Sequence, residues 1–425
     1  TSDFVGREWL VEAVESRLAE DRCRFLVLTG GPGVGKSAFM AHLAETHPDW
    51  LRYFIRRDSR DLLRPGDGKT FFLTIGGQLA TLRRELFKPE KLEFVIRQRV
   101  GTLDETGQVT GALVRELKAS PFYSVSIEVD QEIERVKGQQ VALEIGRLVT
   151  EPRLLSLQDL QFMGLLAPAW LLYETDPAAR IVVLVDALDE LRFSPAEVDI
   201  LEALCSLPVA STDDPAPSTP EGRFRLPPNL RFLLTSRPEK FLDRLLARRD
   251  SVELPLAGDG DARGDLDAYA RAYSLAYLPE DGLKPALEPR YMTRAGLIDD
   301  LVEKAAGNFL YLRSVLAAIR EALEDPAKAA RLPGLLAVKE LPADLDALYD
   351  YFLDTLVGWI ERRGFGESAW RAYLRPLLGV LAVARLPLDE ARLRAFTALS
   401  PEDLSDLLRE LRQFIEPLED GRAFR

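Results

Sequence analysis

Three short runs are apolar at nearly every position: Arg24 to Thr29, Ile181 to Asp186 and Leu230 to Ser236. Unbroken apolar runs of this length suit strands covered on both faces, as in a parallel sheet. Each ends in polar residues, which in such sheets lie at the carboxyl edge where ligands bind. Trp50 to Arg56 and Ser251 to Leu254 add two less apolar strand candidates. A period of two appears at Tyr123, Val125, Ile127 and Val129, which alternate with Ser124, Ser126, Glu128 and Asp130, and again at Val141, Leu143 and Ile145 after Lys137-Gly138. This alternation predicts half-buried strands in a β-hairpin-like insertion. Pro208 to Pro228 is rich in Pro, Ser, Thr and Asp and reads as a mobile surface loop.

After Leu256 the apolar spacing changes to three and four residues. Helices are predicted over Leu266 to Leu278, Leu297 to Ala306 and Phe309 to Leu323, and Pro326 to Pro342 reads as a linker. From Leu345 helices resume, near Trp370 to Ala382, Leu388 to Phe396 and Pro401 to Arg412, ahead of a short strand at Phe414 to Leu418. The pattern divides the chain into an α/β unit over 1–256 with an insertion at about 60–175, a helical unit over 257–335, and a last unit over 336–425. No repeat of solenoid or propeller length is visible.

Composition narrows the class. At 425 residues, 47% hydrophobic and 29% charged, the chain fits several ordinary globular units. A net charge of -13 argues against general attraction to nucleic acid. No apolar run reaches membrane-spanning length, and no signal peptide opens the chain, so a cytoplasmic protein without a membrane partner is expected. Cys23 and Cys205 are the only cysteines and read as small buried apolar residues; they cannot build a zinc or disulfide framework. His42 and His47 read as surface residues of a helix. Thr1 is not a methionine, and the chain stops after the turn signal Glu419-Asp420-Gly421, which should lead into another strand. Further sequence is therefore expected on both sides.

The first apolar run leads into Gly30-Gly31-Pro32-Gly33-Val34-Gly35-Lys36-Ser37, a complete G-x-x-x-x-G-K-[ST] phosphate loop followed by a helical stretch, Ala38 to Glu45. Gly lets backbone N–H groups wrap phosphates without side-chain clash, and the helix that follows points its positive end at the same anion. The nucleotide-binding set is Gly31, Pro32, Gly33, Val34, Gly35, Lys36, Ser37 and Ala38. Lys36 is expected to reach the β- and γ-phosphates and Ser37 to hold Mg²⁺. The second apolar run ends in Asp186-Ala187-Leu188-Asp189-Glu190. An acid at the end of a buried strand beside the loop suits Mg²⁺, so Asp186 joins Ser37 as a metal candidate. Asp189 and Glu190 lie where a carboxylate orients or deprotonates an attacking water, with the choice between them open. The third run ends in Thr235-Ser236-Arg237-Pro238, and Arg237 is placed to sense a γ-phosphate. No N-K-x-D guanine-reading sequence is visible, which favours adenine. The expected fold is α/β, a P-loop NTPase parallel sheet flanked by helices, with ATP or ADP and Mg²⁺ as cofactors.

The order phosphate loop, V-D-A-L-D-E and T-S-R-P resembles the NACHT branch of the STAND signalling ATPases, relatives of the AAA+ proteins. Phe4-Val5-Gly6-Arg7-Glu8 is similar to that family's opening segment, and Ala306-Gly307-Asn308-Phe309-Leu310 resembles its G-x-P segment, with Phe309 in the place of the proline. The resemblance implies that Val5 and Phe309 line the adenine, that the unit after 257 is a helical domain, and that the last unit is a winged helix, here cut short. The histidine by which that family's winged helix locks ADP has no counterpart among His42 and His47. The resemblance further implies a slow ATPase that ADP holds closed, that oligomerises on ATP exchange, and that works with flanking sensor and effector domains, in bacteria often for antiviral defence. The alternative is a DNA-binding AAA+ initiator with a winged helix, and a continuous-turnover motor ranks third because no pore-loop aromatic motif is evident. Against the initiator, Pro401 to Arg412 sets Glu402, Asp403, Asp406 and Glu410 against Arg409 and Arg412.

Overall fold

The computed structural model describes residues 4–55, 66–87, 155–193, 198–210, 221–256, 260–326, 328–360, 370–384 and 388–411. It also describes 90–97, 108–114, 117–118, 121–122, 125–132, 139–145 and 148–149, with residue 219 and residues 423–424.

The apolar runs form a five-stranded sheet. Its strands are β1 (Phe25–Thr29), β2 (Leu51–Phe54), β3 (Ile181–Asp186), β4 (Leu230–Ser236) and β5 (Ser251–Pro255). Their order is β5-β1-β4-β3-β2, and every neighbouring pair is parallel. The three fully apolar runs occupy the centre and are buried at every position, whereas the less apolar β2 and β5 take the edges. Alternation sorts the central side chains to two faces. Leu26, Leu28, Val182, Leu184 and Leu233 pack against α1 (Glu8–Ala19) and α2 (Lys36–Thr46) through Leu10, Val14, Phe39, Met40 and Leu43. Phe25, Val27, Val183, Val185, Phe232 and Leu234 face the other way, onto α3 (Gly68–Leu82) and the helical stretch 157–175. The sheet is therefore a two-faced core of the P-loop NTPase kind, with all strand carboxyl ends on one edge.

The alternating segments pair differently from the hairpin expectation. Val125–Glu132 lies parallel to Glu90–Arg97, and Gln139–Ile145 lies parallel to Gln108–Val114. Alternation fixes which residues share a face but carries no information about the partner strand. Tyr123 and Ser124 lie outside the described residues, as does most of the expected loop between 211 and 220. At that loop's base Val209 and Leu226 form a bridge.

The helical part begins with α4 (Gly260–Tyr277), α5 (Arg294–Ala305) and α6 (Phe309–Glu324). Leu266, Leu297, Leu301, Leu312, Val315 and Ile319 build its core. The stretch expected as a linker is instead packed. Short helical turns over Ala329–Arg331, Leu332–Leu335 and Val338–Glu340 bury Leu335, Leu336, Val338 and Leu341 in the same core, which reaches Phe352. The three prolines, Pro326, Pro333 and Pro342, mark turns, and the apolar residues between them pin those turns down. A separate cluster, from Leu374 to Leu411, holds the helices Arg375–Val383, Glu390–Thr397 and Pro401–Glu410. Leu388–Asp389 pairs antiparallel with Ala423–Phe424 beyond the turn signal, while the expected strand at Phe414 to Leu418 lies outside the described residues.

Candidate active site

The carboxyl edge of β1, β4 and β3 brings three separate sequence signals together. β1 runs into the phosphate loop, where Gly33 (φ 80°) and Gly35 (φ 83°) adopt backbone that side chains resist. Gly35 is the residue before α2, and Lys36 is that helix's first residue. Lys36 Nζ donates to the carbonyl oxygens of Gly30 at 2.7 Å and Gly31 at 2.9 Å. Burial lowers the pKa of this ammonium, and the charge of Asp189 is the largest opposing cause. Ser37 and Ala38 are exposed at the start of α2, and Gly31, Gly33 and Val34 are half-buried with Pro32 exposed at the loop's tip.

Asp186 ends β3 and is 5% exposed. Burial raises its pKa, opposed by hydrogen bonds from Thr235 and Ser37 and by the charge of Lys36. Ser37 at the start of α2 thus meets Asp186 at the end of β3, a pair of hard oxygen donors of the kind Mg²⁺ takes. Thr235 Oγ1 donates to Asp186 Oδ1 at 2.6 Å and accepts the Ala187 N–H at 2.9 Å. Ala187 itself has φ 64° and turns the chain into the helical turn Leu188–Phe193. There the Glu190 N–H closes onto the Ala187 carbonyl at 3.0 Å, leaving the Glu190 side chain half-buried. Asp189 is nearly buried and pairs with Arg237: Arg237 Nε lies 2.9 Å from Oδ2, and the Arg237 N–H reaches Oδ1 at 3.3 Å. The Arg237 side chain keeps 40% of its exposure.

The helical part closes over the loop. The Leu310 N–H donates to the Gly33 carbonyl at 3.2 Å, and Asn308 Nδ2 donates to the Pro32 carbonyl at 3.2 Å. Asn308 also caps α6 by accepting the Tyr311 N–H. From the opening segment, Arg7 donates to the carbonyls of Gly35 (3.2 Å) and Val34. Its guanidinium sits 4.7 Å from the centre of the Phe309 ring, and Phe309 meets Tyr269 edge-on. Asp265 of α4 accepts the Arg7 N–H at 2.8 Å and Trp9 Nε1 at 3.0 Å, and faces Arg7 Nε at 3.9 Å. Val5 lies at the surface beside this segment, 36% exposed. Phe309 therefore lies beside the loop, which its neighbours contact through the Asn308 side-chain amide and the Leu310 backbone N–H.

Sequence pattern does not single out Asp265, because its partners lie more than 250 residues away. Asn308 carried a signal in its type and place, an Asn directly before an apolar-periodic helix. Thr235 lay inside a noted motif, but its partner is visible only once β3 and β4 are neighbours. His42 and His47 are not simple surface residues: His42 stacks on Phe4 and His47 on Trp50, and both are half-buried. Cys23 is buried, Cys205 is half-buried, and burial pushes both thiols up, Cys23 to about 11. Among the described residues no cluster of His, Cys, Asp and Glu forms a separate metal site, and no helix is long and apolar enough to cross a membrane.

Residues 3–212 match the family model described as an AAA ATPase domain. No curated protein is matched. Among solved structures, a chain from the structure of Drosophila ORC bound to DNA aligns over 100% of this chain and 84% of its own, at 12% identity and a TM-score of 0.34. That likeness is too distant to carry an argument. The domain match agrees with the loop, the buried acid and the parallel sheet that joins them. Residues 3–212 accordingly carry an AAA ATPase domain of the AAA+ P-loop class.

Proposed function

We propose that the protein is an ATP/ADP-dependent switch of the NACHT-type STAND class, held closed by ADP and driven by ATP exchange to oligomerise and activate an effector. The observation that carries this reading is the docking of the helical bundle on the phosphate loop's own backbone, through Leu310, Asn308 and the Arg7–Asp265 bridge. A ligand shifts a two-state equilibrium only through different affinities for the two states. A loop that wraps phosphates on one side and carries the bundle on the other supplies that difference. The reciprocal effect follows: whatever loosens the bundle must loosen the nucleotide.

The residues at the loop divide the chemistry. Lys36 neutralises the β- and γ-phosphates by moving its ammonium from the Gly30 and Gly31 carbonyls onto the anion. Ser37 and Asp186 fit Mg²⁺, which when bound would neutralise charge on the phosphate oxygens. Asp189 or Glu190 orients the attacking water, and Asp189 also holds Arg237 through both its oxygens. Arg237 answers to a γ-phosphate by exchanging its carboxylate partner for a phosphate oxygen. Val5 and Phe309 border the base. The DNA-binding alternative gains nothing from the helix Pro401–Glu410, whose acids outnumber its bases.

The test is ADP dissociation from the wild type and from Asp265→Asn. The amide keeps the shape but gives up the charge facing Arg7 and Trp9. ADP should leave several-fold faster from the variant. Equal off-rates would mean that the bundle contact is packing without linkage, and the switch reading would lose its support.

A further inference from the structure

Thr235 lies at the last turn of a fully buried strand, and its side chain is 0% exposed. A threonine hydroxyl has one proton and two lone pairs. The Ala187 N–H, 2.9 Å away, takes a lone pair, because a backbone N–H can only donate. The oxygen 2.6 Å away is Asp186 Oδ1, the acceptor for the hydroxyl's single proton among the described contacts. The direction of both bonds is therefore fixed: Ala187 N–H to Thr235, Thr235 O–H to Asp186.

Two consequences follow at the end of β3. One lone pair of Asp186 Oδ1 takes the hydroxyl proton, which fixes the rotation of the carboxylate and so the directions its remaining lone pairs offer a cation on the Ser37 side. The same hydroxyl also holds Ala187 at φ 64°, the left-handed turn from which Asp189 and Glu190 project. One buried side chain thus sets both the orientation of the metal-side carboxylate and the path of the acidic turn. Hydrogen-bond partners of metal ligands act in this way, fixing the ligand's rotamer and its acceptor orbital.

We propose that Thr235 is a positioning residue that orients Asp186 for Mg²⁺ at the nucleotide, selecting the metal-bound form of the complex over the metal-free one. This rests on the reading of Ser37 and Asp186 as the metal's ligands. It predicts a role that shows in the gain of nucleotide affinity on adding Mg²⁺, and not in nucleotide affinity itself.

The experiment measures binding of a non-hydrolysable ATP analogue with excess EDTA and with Mg²⁺, and takes the ratio of the two dissociation constants. In Thr235→Val the ratio should fall by about tenfold, the lower end of the cost of removing a ligand's hydrogen-bond partner. Affinity in EDTA should stay within about twofold, and Thr235→Ser, which restores the hydroxyl, should return the wild-type ratio. Thr235→Ala serves as a second deletion, and the one whose melting temperature is nearer the wild type is read. A deletion that keeps the wild-type ratio overturns the proposal, as does one that lowers affinity equally in EDTA and Mg²⁺, which is what a merely structural role would give. A wild type that binds the analogue equally with and without Mg²⁺ overturns the reading of Ser37 and Asp186, and this proposal with it.

Discussion

Asp189 and Glu190 are neighbours in sequence and carry the same charge, yet the structure gives them different surroundings. The Asp189 carboxylate is nearly buried and faces Arg237 through both its oxygens. Glu190 follows in a helical turn anchored at Ala187. If Glu190 orients the water, Glu190→Gln should slow ATP hydrolysis about a hundredfold or more while ATP still binds. Asp189→Asn should cost less, and chiefly by loosening Arg237. A single-turnover assay on both variants separates them, and a larger loss in Asp189→Asn would give the water to Asp189 instead. The sequence showed both acids and the arginine as candidates. It could not show that one acid is bound to the arginine, because that contact joins positions 48 residues apart. The places of Lys36 and Ser37 at the start of α2 and of Asp186 at the end of β3 were legible because strand, loop and helix succeed one another locally. Asp265 was not legible, since an aspartate inside a helix looks like any solvated acid until its partner Arg7 is known.

At the scale of elements, burial was read better than pairing. The three unbroken apolar runs became the three central strands because only a strand covered on both faces needs apolar residues on both. The alternating segments became strands too, but parallel to earlier segments, since the period of two fixes a face and not a neighbour. Between 326 and 342 the prolines suggest a linker, but Leu335, Leu336, Val338 and Leu341 pack the segment into the helical core. The meeting of the loop and α6 is the least legible element contact, and it rests on a glycine. Gly33 has φ 80°, and a Cβ there would lie 2.9 Å from Leu310 Cβ and press into the Asn308 side chain. Gly33→Ala would add a left-handed strain of about 1–2 kcal/mol to that clash. The variant should free the amides of 309–312, raising their hydrogen exchange at least about tenfold, with α3 unchanged as the internal control. Exchange at 309–312 that matches the wild type would show that the loop and α6 are not held together through Gly33.

For the whole molecule, the proposed switch means that nucleotide identity decides whether the helical bundle stays docked on the phosphate loop. Leu82 at the end of α3 and Leu275 in α4 are exposed, by 45% and 75%, and flank the two bodies whose separation is at issue. Cysteines at these two positions, with Cys205→Ser, accept a donor–acceptor dye pair. Cys23 stays unlabelled because it is buried and its thiol is pushed up to about 11. Energy transfer between the dyes, measured with ADP and then with a non-hydrolysable ATP analogue and Mg²⁺, is the most direct measurement. ADP should give one narrow population and the analogue a second, of different transfer efficiency, and Lys36→Ala should abolish the nucleotide-driven change. A single population, identical with both nucleotides, would contradict the proposed switch.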